Sequence, residues 1–203
     1  VCLDVIQKGL ADIGDGWYHG PPINDQVFVS TAASSVVALM HDGPQLATFR
    51  IRTGMNVPAS FDFDDHMQRS EALATLVIDS HVTLRAGAER VEVETTVYNV
   101  AEDHRLRVLL PSGARAAATW LADTPFDVVE RPIALRGDNH RYRELEVETK
   151  SQLTWSAVYD GAQGLAVVSS GLLESAVRDQ PERPLALTLL RSTRRTVFTD
   201  GEP

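Results

Sequence analysis

The dominant period along the chain is two. Leu76, Ile78, Val82 and Leu84 stand against Val77, Asp79, His81 and Thr83, and Val91, Val93, Thr95 and Val97 stand against Glu92, Glu94, Thr96 and Tyr98. An apolar face opposite a polar one at this spacing predicts half-buried antiparallel strands. The segment Ala86-Gly87-Ala88-Glu89 between them fits a hairpin loop. Leu106, Val108 and Leu110 continue the alternation until Pro111-Ser112-Gly113 stops it, and Trp155, Ala157 and Tyr159 run into the turn signal Asp160-Gly161 before Leu165 to Val168. Leu185 to Leu190 is nearly continuously apolar, as a strand covered on both faces would be. Val27–Val29, Val36–Met40, Leu46–Ile51 and the alternating Leu145, Val147, Thr149 add further predicted strands, with His41-Asp42-Gly43-Pro44 as a turn. The best helical spacing, Leu172, Leu173, Ala176 and Val177, covers two turns at most.

Ten or more strands in 203 residues imply an all-β, mainly antiparallel domain with little helix, larger than an immunoglobulin sandwich. The expectation is one domain, 1–203, that removes about 70% of its unfolded surface from water without staples. The chain opens on Val1 and closes on Asp200-Gly201-Glu202-Pro203, which reads as a piece of a longer multidomain polypeptide, cut short at its C-terminal end. The formal net charge of −9 argues against a nucleic-acid partner, because displacing phosphate counterions needs clustered Lys and Arg. Cys2 is the only cysteine, so no intrachain disulfide can form and a reducing, cytoplasmic location is the simpler expectation. No apolar run approaches the ~20 residues that span a bilayer, so no membrane partner is expected.

Catalytic chemistry is sparse. Gly-x-Ser-x-Gly, a phosphate-binding glycine loop and His-Glu-x-x-His are all absent. Asp62, Asp64, Asp65 and His66 have the residue types of a cation site, although an acidic surface loop explains them more simply; Glu102, Asp103 and His104 raise the same question more weakly. Asp12-Ile13-Gly14-Asp15-Gly16-Trp17-Tyr18-His19-Gly20-Pro21-Pro22 differs in kind, packing carboxylates, aromatics and glycines together without a period. Carboxylates accept hydrogen bonds from sugar hydroxyls, flat rings cover the C–H face, and glycines let the backbone approach closely. A tight surface turn anchored by Trp17 competes with that reading.

Two segments carry a family likeness. Asn99, Asp103-His104-Arg105-Leu106-Arg107-Val108 and Pro111-Ser112-Gly113 resemble a segment of the C-terminal β-region of family 38 glycoside hydrolases, and Pro125-Phe126-Asp127-Val128-Val129-Glu130-Arg131-Pro132 resembles the motif that follows it in bacterial members. The turn from Asp12 to Tyr18 and the late Leu187-Thr188-Leu189-Leu190-Arg191-Ser192 are similar to further family segments, so the likeness spans nearly the whole chain. The resemblance implies a galactose-mutarotase-like supersandwich of two large sheets. It also implies that the parent enzyme is an α-mannosidase, retaining and zinc-dependent, with its zinc and carboxylates in an upstream catalytic domain. None of those groups maps onto this chain, so neither a catalytic residue nor a cofactor is assigned to it. The β-region is expected to pack on the catalytic domain and to lend Asp12, Asp15, Tyr18 and Arg191 to a pocket that holds carbohydrate. Asp103, Arg105 and Arg131 are expected to be structural. A free-standing carbohydrate-binding module is the alternative, and a mutarotase-like epimerase using His81 or His104 is a third reading.

Overall fold

The computed structural model describes residues 10–11, 26–63, 67–142 and 145–193. The described strands are β1 (Leu10–Ala11), β2 (Ser34–Asp42), β3 (Leu46–Pro58), β4 (Phe61–Asp62), β5 (Gln68–Arg69), β6 (Leu73–Arg85), β7 (Val91–Tyr98) and β8 (His104–Leu110). They continue with β9 (Thr119–Thr124), β10 (Asp127–Pro132), β11 (Lys150–Ser151), β12 (Trp155–Tyr159), β13 (Gly164–Val168), β14 (Glu174–Val177) and β15 (Leu185–Ser192). Two single-turn 3-10 helices, Ser30–Ala32 and Asn139–Arg141, are the only helices among the described residues, so none is long and apolar enough to cross a membrane. The expected all-β, antiparallel architecture with little helix is what the chain builds. Its strands form three sheets, in orders β1-β8-β15-β14-β11, β10-β9-β12-β13 and β2-β3-β6-β7, and one two-stranded pair, β4-β5.

The chain divides into two compact units. One comprises Val1–Gln7 and Leu106–Leu190, the other Lys8–Arg105 and Arg191–Pro203.

In the unit centred on β2 to β7, the long strands β3 and β6 pair over their whole length, from Leu46↔Arg85 to Pro58↔Leu73. Alternation divides this sheet into two faces. One carries Arg50, Asp79, His81 and Glu94, with Arg50 Nε donating to Asp79 Oδ1 at 2.8 Å. The other carries Met55, Val57, Leu76 and Ile78, all buried. Phe61 and Leu76 are each 1% exposed, and burying a side chain of this size is worth about 1.5–3 kcal/mol. In β2 the register shifts between Leu39 and His41, a β-bulge at Met40 that places Asp42, opposite Ala47, on the face of Leu39.

In the other unit, Trp120 and Ala122 of β9 and Val158 of β12 form one buried cluster with Val177 of β14 and Leu185 of β15. A polar bridge crosses the same layer, where the Ser156 and Ser175 hydroxyls lie 2.7 Å apart and Gln152 Nε2 donates to Leu172 O at 2.8 Å. β15 begins with four buried residues, Leu185 to Thr188, as its apolar run predicts.

Three expected elements differ. Leu145, Val147 and Thr149 alternate like a strand, yet only Lys150–Ser151 pairs as β11. Asn139 clips the backbone of Glu146 from both sides, with Nδ2 donating to Glu146 O at 2.8 Å and Glu146 N donating to Oδ1 at 2.7 Å, so those groups are spent before a ladder can use them. The helical candidate around Leu172–Val177 is instead β14, hydrogen-bonded between β11 and β15, and its buried Ser175, Ala176 and Val177 satisfy a continuous apolar strand as well as a short helical stripe. Val27–Val29 contributes a single bridge at Phe28 before the chain tightens into the 3-10 turn at Ser30.

Candidate functional site

The motif Asp103-His104-Arg105 closes a strand junction. Asp103 is fully buried and sits in left-handed backbone, φ 53°, a conformation that Asp tolerates better than most residues. Its Oδ2 accepts the N–H of Phe61 at 3.0 Å, and its own carbonyl accepts Arg69 Nη1 at 3.0 Å. One residue earlier, Glu102 N donates to Ala59 O at 2.8 Å. Phe61 meets Phe63 edge-on, with ring centres 5.1 Å apart. His104 and Arg105 are buried beside this lock. Burial pushes the His104 imidazole below its usual range, against a backbone hydrogen bond at Glu102, and the Arg69 charge adds to the effect of burial. The Asp103 carboxylate is spent on the main chain, which is the structural use expected of it.

Arg107, two residues on in β8, has no exposed surface. Its Nη1 donates to Glu148 Oε1 at 2.8 Å, and Glu148 Oε2 lies 3.4 Å from Arg178 Nε. Burial pushes the Arg107 guanidinium downward and the Glu148 charge opposes it. Arg131 stands over Trp120 at 5.2 Å and donates to Ser151 O at 2.7 Å, which makes it a corner brace.

Of the four residues expected to reach carbohydrate, Asp12, Asp15 and Tyr18 lie outside the described residues, as do Cys2, Trp17, Asp64, Asp65 and His66. Arg191 lies in β15, half-buried, next to Ser192, whose hydroxyl is 3.4 Å from Ala101 O. Asp62 ends β4. Among the described residues no three His, Cys, Asp or Glu side chains converge as a metal site requires. His81 faces Arg50 and Glu94 across the sheet, whereas His104 is enclosed.

An open depression of about 340 Å³ lies beside β5, lined by Gln26, Phe28, Pro58, Gln68, Arg69 and Glu71 among others. Amide, carboxylate and apolar groups of this kind can hold polar small molecules but supply no nucleophile with a base. Sequence reasoning missed it, because Gln26 and Gln68 belong to no motif and meet only through the fold. Phe126 is the other feature it passed over. This residue ends the two-residue hairpin loop between Thr124 and Asp127 in left-handed backbone, φ 72°, with its ring fully exposed. The signal was available in Pro125-Phe126, where a turn of this kind ordinarily places Gly second.

Comparison with known proteins sets these features in context. Residues 11–196 match the model of the C-terminal domain of glycosyl hydrolases family 38. A protein of Halalkalibacterium halodurans, provisionally named mannosylglycerate hydrolase, is 25% identical in an alignment of 207 positions that covers 92% of this chain and 21% of that protein. Two crystal structures from Enterococcus faecalis are similar at 25% identity. The first, a protein in glycosyl hydrolase family 38, has a TM-score of 0.78 over 93% of this chain and 23% of its own. The second, an alpha-mannosidase, has a TM-score of 0.82 over 93% and 22%. The chain thus spans between a fifth and a quarter of the length of these relatives.

Proposed function

Since the chain belongs to the C-terminal domain family of glycosyl hydrolases family 38, we propose that it is the non-catalytic β-domain, 1–203, of a zinc-dependent retaining α-mannosidase. It packs on the catalytic domain of the same polypeptide and contributes Asp12, Asp15, Tyr18 and Arg191 to the wall of the mannoside pocket. The family match over 11–196 carries this reading. Among the described residues no side chains are grouped to hold zinc, and the role proposed for this chain is binding and positioning. Zinc and the two carboxylates of retaining hydrolysis belong to the upstream domain. Carboxylates at Asp12 and Asp15 would accept sugar hydroxyls, Tyr18 would cover a C–H face, and Arg191 would donate to a hydroxyl or to a carboxylate on the aglycone. The name of the H. halodurans relative makes mannosylglycerate, which carries such a carboxylate, a substrate to include. The lone Cys2 fits a cytoplasmic setting.

The test compares the isolated chain with the longer enzyme on an aryl α-mannoside and on mannosylglycerate, each with zinc supplied. Turnover is expected from the longer enzyme alone. Turnover by the isolated chain overturns the assignment. In the longer enzyme, Arg191→Ala and Asp15→Asn are expected to raise KM by about tenfold, the cost of one lost charge-assisted hydrogen bond; unchanged KM in both removes the pocket-wall role. A free-standing binding module would instead show affinity of the isolated chain for mannosides that Trp17→Ala abolishes.

A further inference from the structure

One face of the four-stranded sheet β2-β3-β6-β7 carries two apolar blocks separated by the Ser35–Thr53 and Ser80–Thr95 hydroxyl pairs, and only one block is covered. Read across the strands, one row is Met55 beside Leu76, and both are buried. Two rungs nearer the opposite end, Val37, Ile51, Ser80 and Thr95 stand in line, and there cover gives out. The next rung, Leu39–Phe49–Val82–Val93, carries apolar side chains across all four strands, and the last, Asp42–Ala47–Leu84–Val91, does so on three of them, with Asp42 at the β2 edge. Val37, Leu39, Phe49, Leu84, Val91 and Val93 are between 44% and 62% exposed. All nine residues of β2 are exposed, although its Val-Val-Ala-Leu-Met run has the composition of a covered strand. The reverse face of the same sheet is mixed, with the Arg50–Asp79 pair and the Thr48–Thr83 hydroxyl pair beside exposed Val36 and Tyr98.

Six half-exposed aliphatic and aromatic side chains in one block amount to a patch on the order of several hundred Å², the size that marks an interaction surface. We propose that this block seats an apolar layer from the remaining polypeptide of the parent enzyme. Two observations select that occupant. The relatives are between four and five times the length of this chain, with 21% to 23% of them matched, so a tethered partner at high effective concentration is at hand. A second copy would bring together two chains that each carry a formal net charge of −9, and would also sacrifice translational freedom. The inference rests on the domain reading above and assigns the docking face within it.

The experiment introduces Leu39→Cys and Val93→Cys separately into the longer enzyme, with Glu94→Cys on the reverse face as the exposed control. Maleimide labelling of the folded protein is followed by mass spectrometry, and sedimentation is measured alongside. Labelling at Leu39 and Val93 is expected to be at least about tenfold slower than at Glu94 in a monomeric enzyme, because reaction beneath a packed layer requires local opening. Equal rates at the three sites overturn the proposal. So does slow labelling that appears only at concentrations where the enzyme dimerises, which would assign the face to a second copy. Hydrolysis is not the readout, so an enzyme without α-mannosidase activity would still answer the question.

Discussion

Asp103 Oδ2 accepts the backbone N–H of Phe61, 42 residues earlier in the chain, at 3.0 Å. The carboxylate is fully buried, so it ties β4 to the junction from outside the β4–β5 ladder. Removing it takes away a buried acceptor that this N–H uses. Asp103→Ala is expected to lower stability by about 2–3 kcal/mol, and Asp103→Asn, which keeps an acceptor and tolerates φ 53°, by roughly half of that. Urea denaturation followed by circular dichroism measures both, and equal losses would mean that the hydrogen bond is not the source.

The pair Arg107–Glu148 is predicted to be asymmetric. Arg107 is fully enclosed, whereas the Glu148 side chain is 31% exposed and also meets Arg178. Glu148→Ala removes the hydrogen-bonded counter-charge of a buried cation, leaving only the weaker influence of Glu174, and should cost about 3 kcal/mol. Arg107→Met leaves Glu148 solvated and still paired, and fills the space with an unbranched apolar chain, so it should cost no more than about 1–2 kcal/mol. Midpoints of urea unfolding for the two variants decide it, and the reverse order would refute the argument.

Acid sensitivity should centre on Asp123. Burial raises its pKa, but the Thr154 hydroxyl and the N–H groups of Trp155, Thr154 and Leu153 outweigh that and hold the carboxyl at about 2. The folded value lies below the ordinary ~3.9 of an unfolded chain. Its stabilisation is therefore complete above the unfolded value and is lost as pH falls through the folded one. Thermal unfolding of Asp123→Asn should show a smaller fall in Tm between about pH 4 and pH 2 than the parent chain. Parallel curves would exclude this residue as the source.

Phe126 should be a site of gain. Its left-handed backbone costs an L-residue about 1–2 kcal/mol, and a ring that is 107% exposed offers no packing in return. Phe126→Gly relieves that penalty and pays about 0.5–1 kcal/mol in unfolded-chain entropy. The isolated chain should gain roughly 0.5–1 kcal/mol, read as a higher Tm; a loss would show that the ring makes a stabilising contact.

Strands were legible where alternation and a turn signal coincided, as for β6, β7, β12 and β13, because period two admits few other structures. Leu145–Thr149 shows the limit. Its alternation is real, but Asn139 holds the Glu146 backbone, and no local pattern reveals a clip set seven residues away. The arginines of β8 show another. A strand with His104, Arg105 and Arg107 reads as half polar, yet all three are buried, since Glu148 meets Arg107 only through folding. For the candidate site, residue types suggested Asp103 and Arg131 as braces, and geometry agrees. The depression beside β5 gathers Gln26 and Gln68 from separate segments, which sequence order cannot announce.

The bulge at Met40 has a consequence for solubility, because β2 is an edge strand among the described residues. A straight nine-residue border of valine, leucine and methionine would template growth of neighbouring chains into fibres. The shift between Leu39 and His41 breaks the pleat, so an incoming strand that matches the first half of the border falls out of step with the second and meets Asp42 where it needs an apolar neighbour.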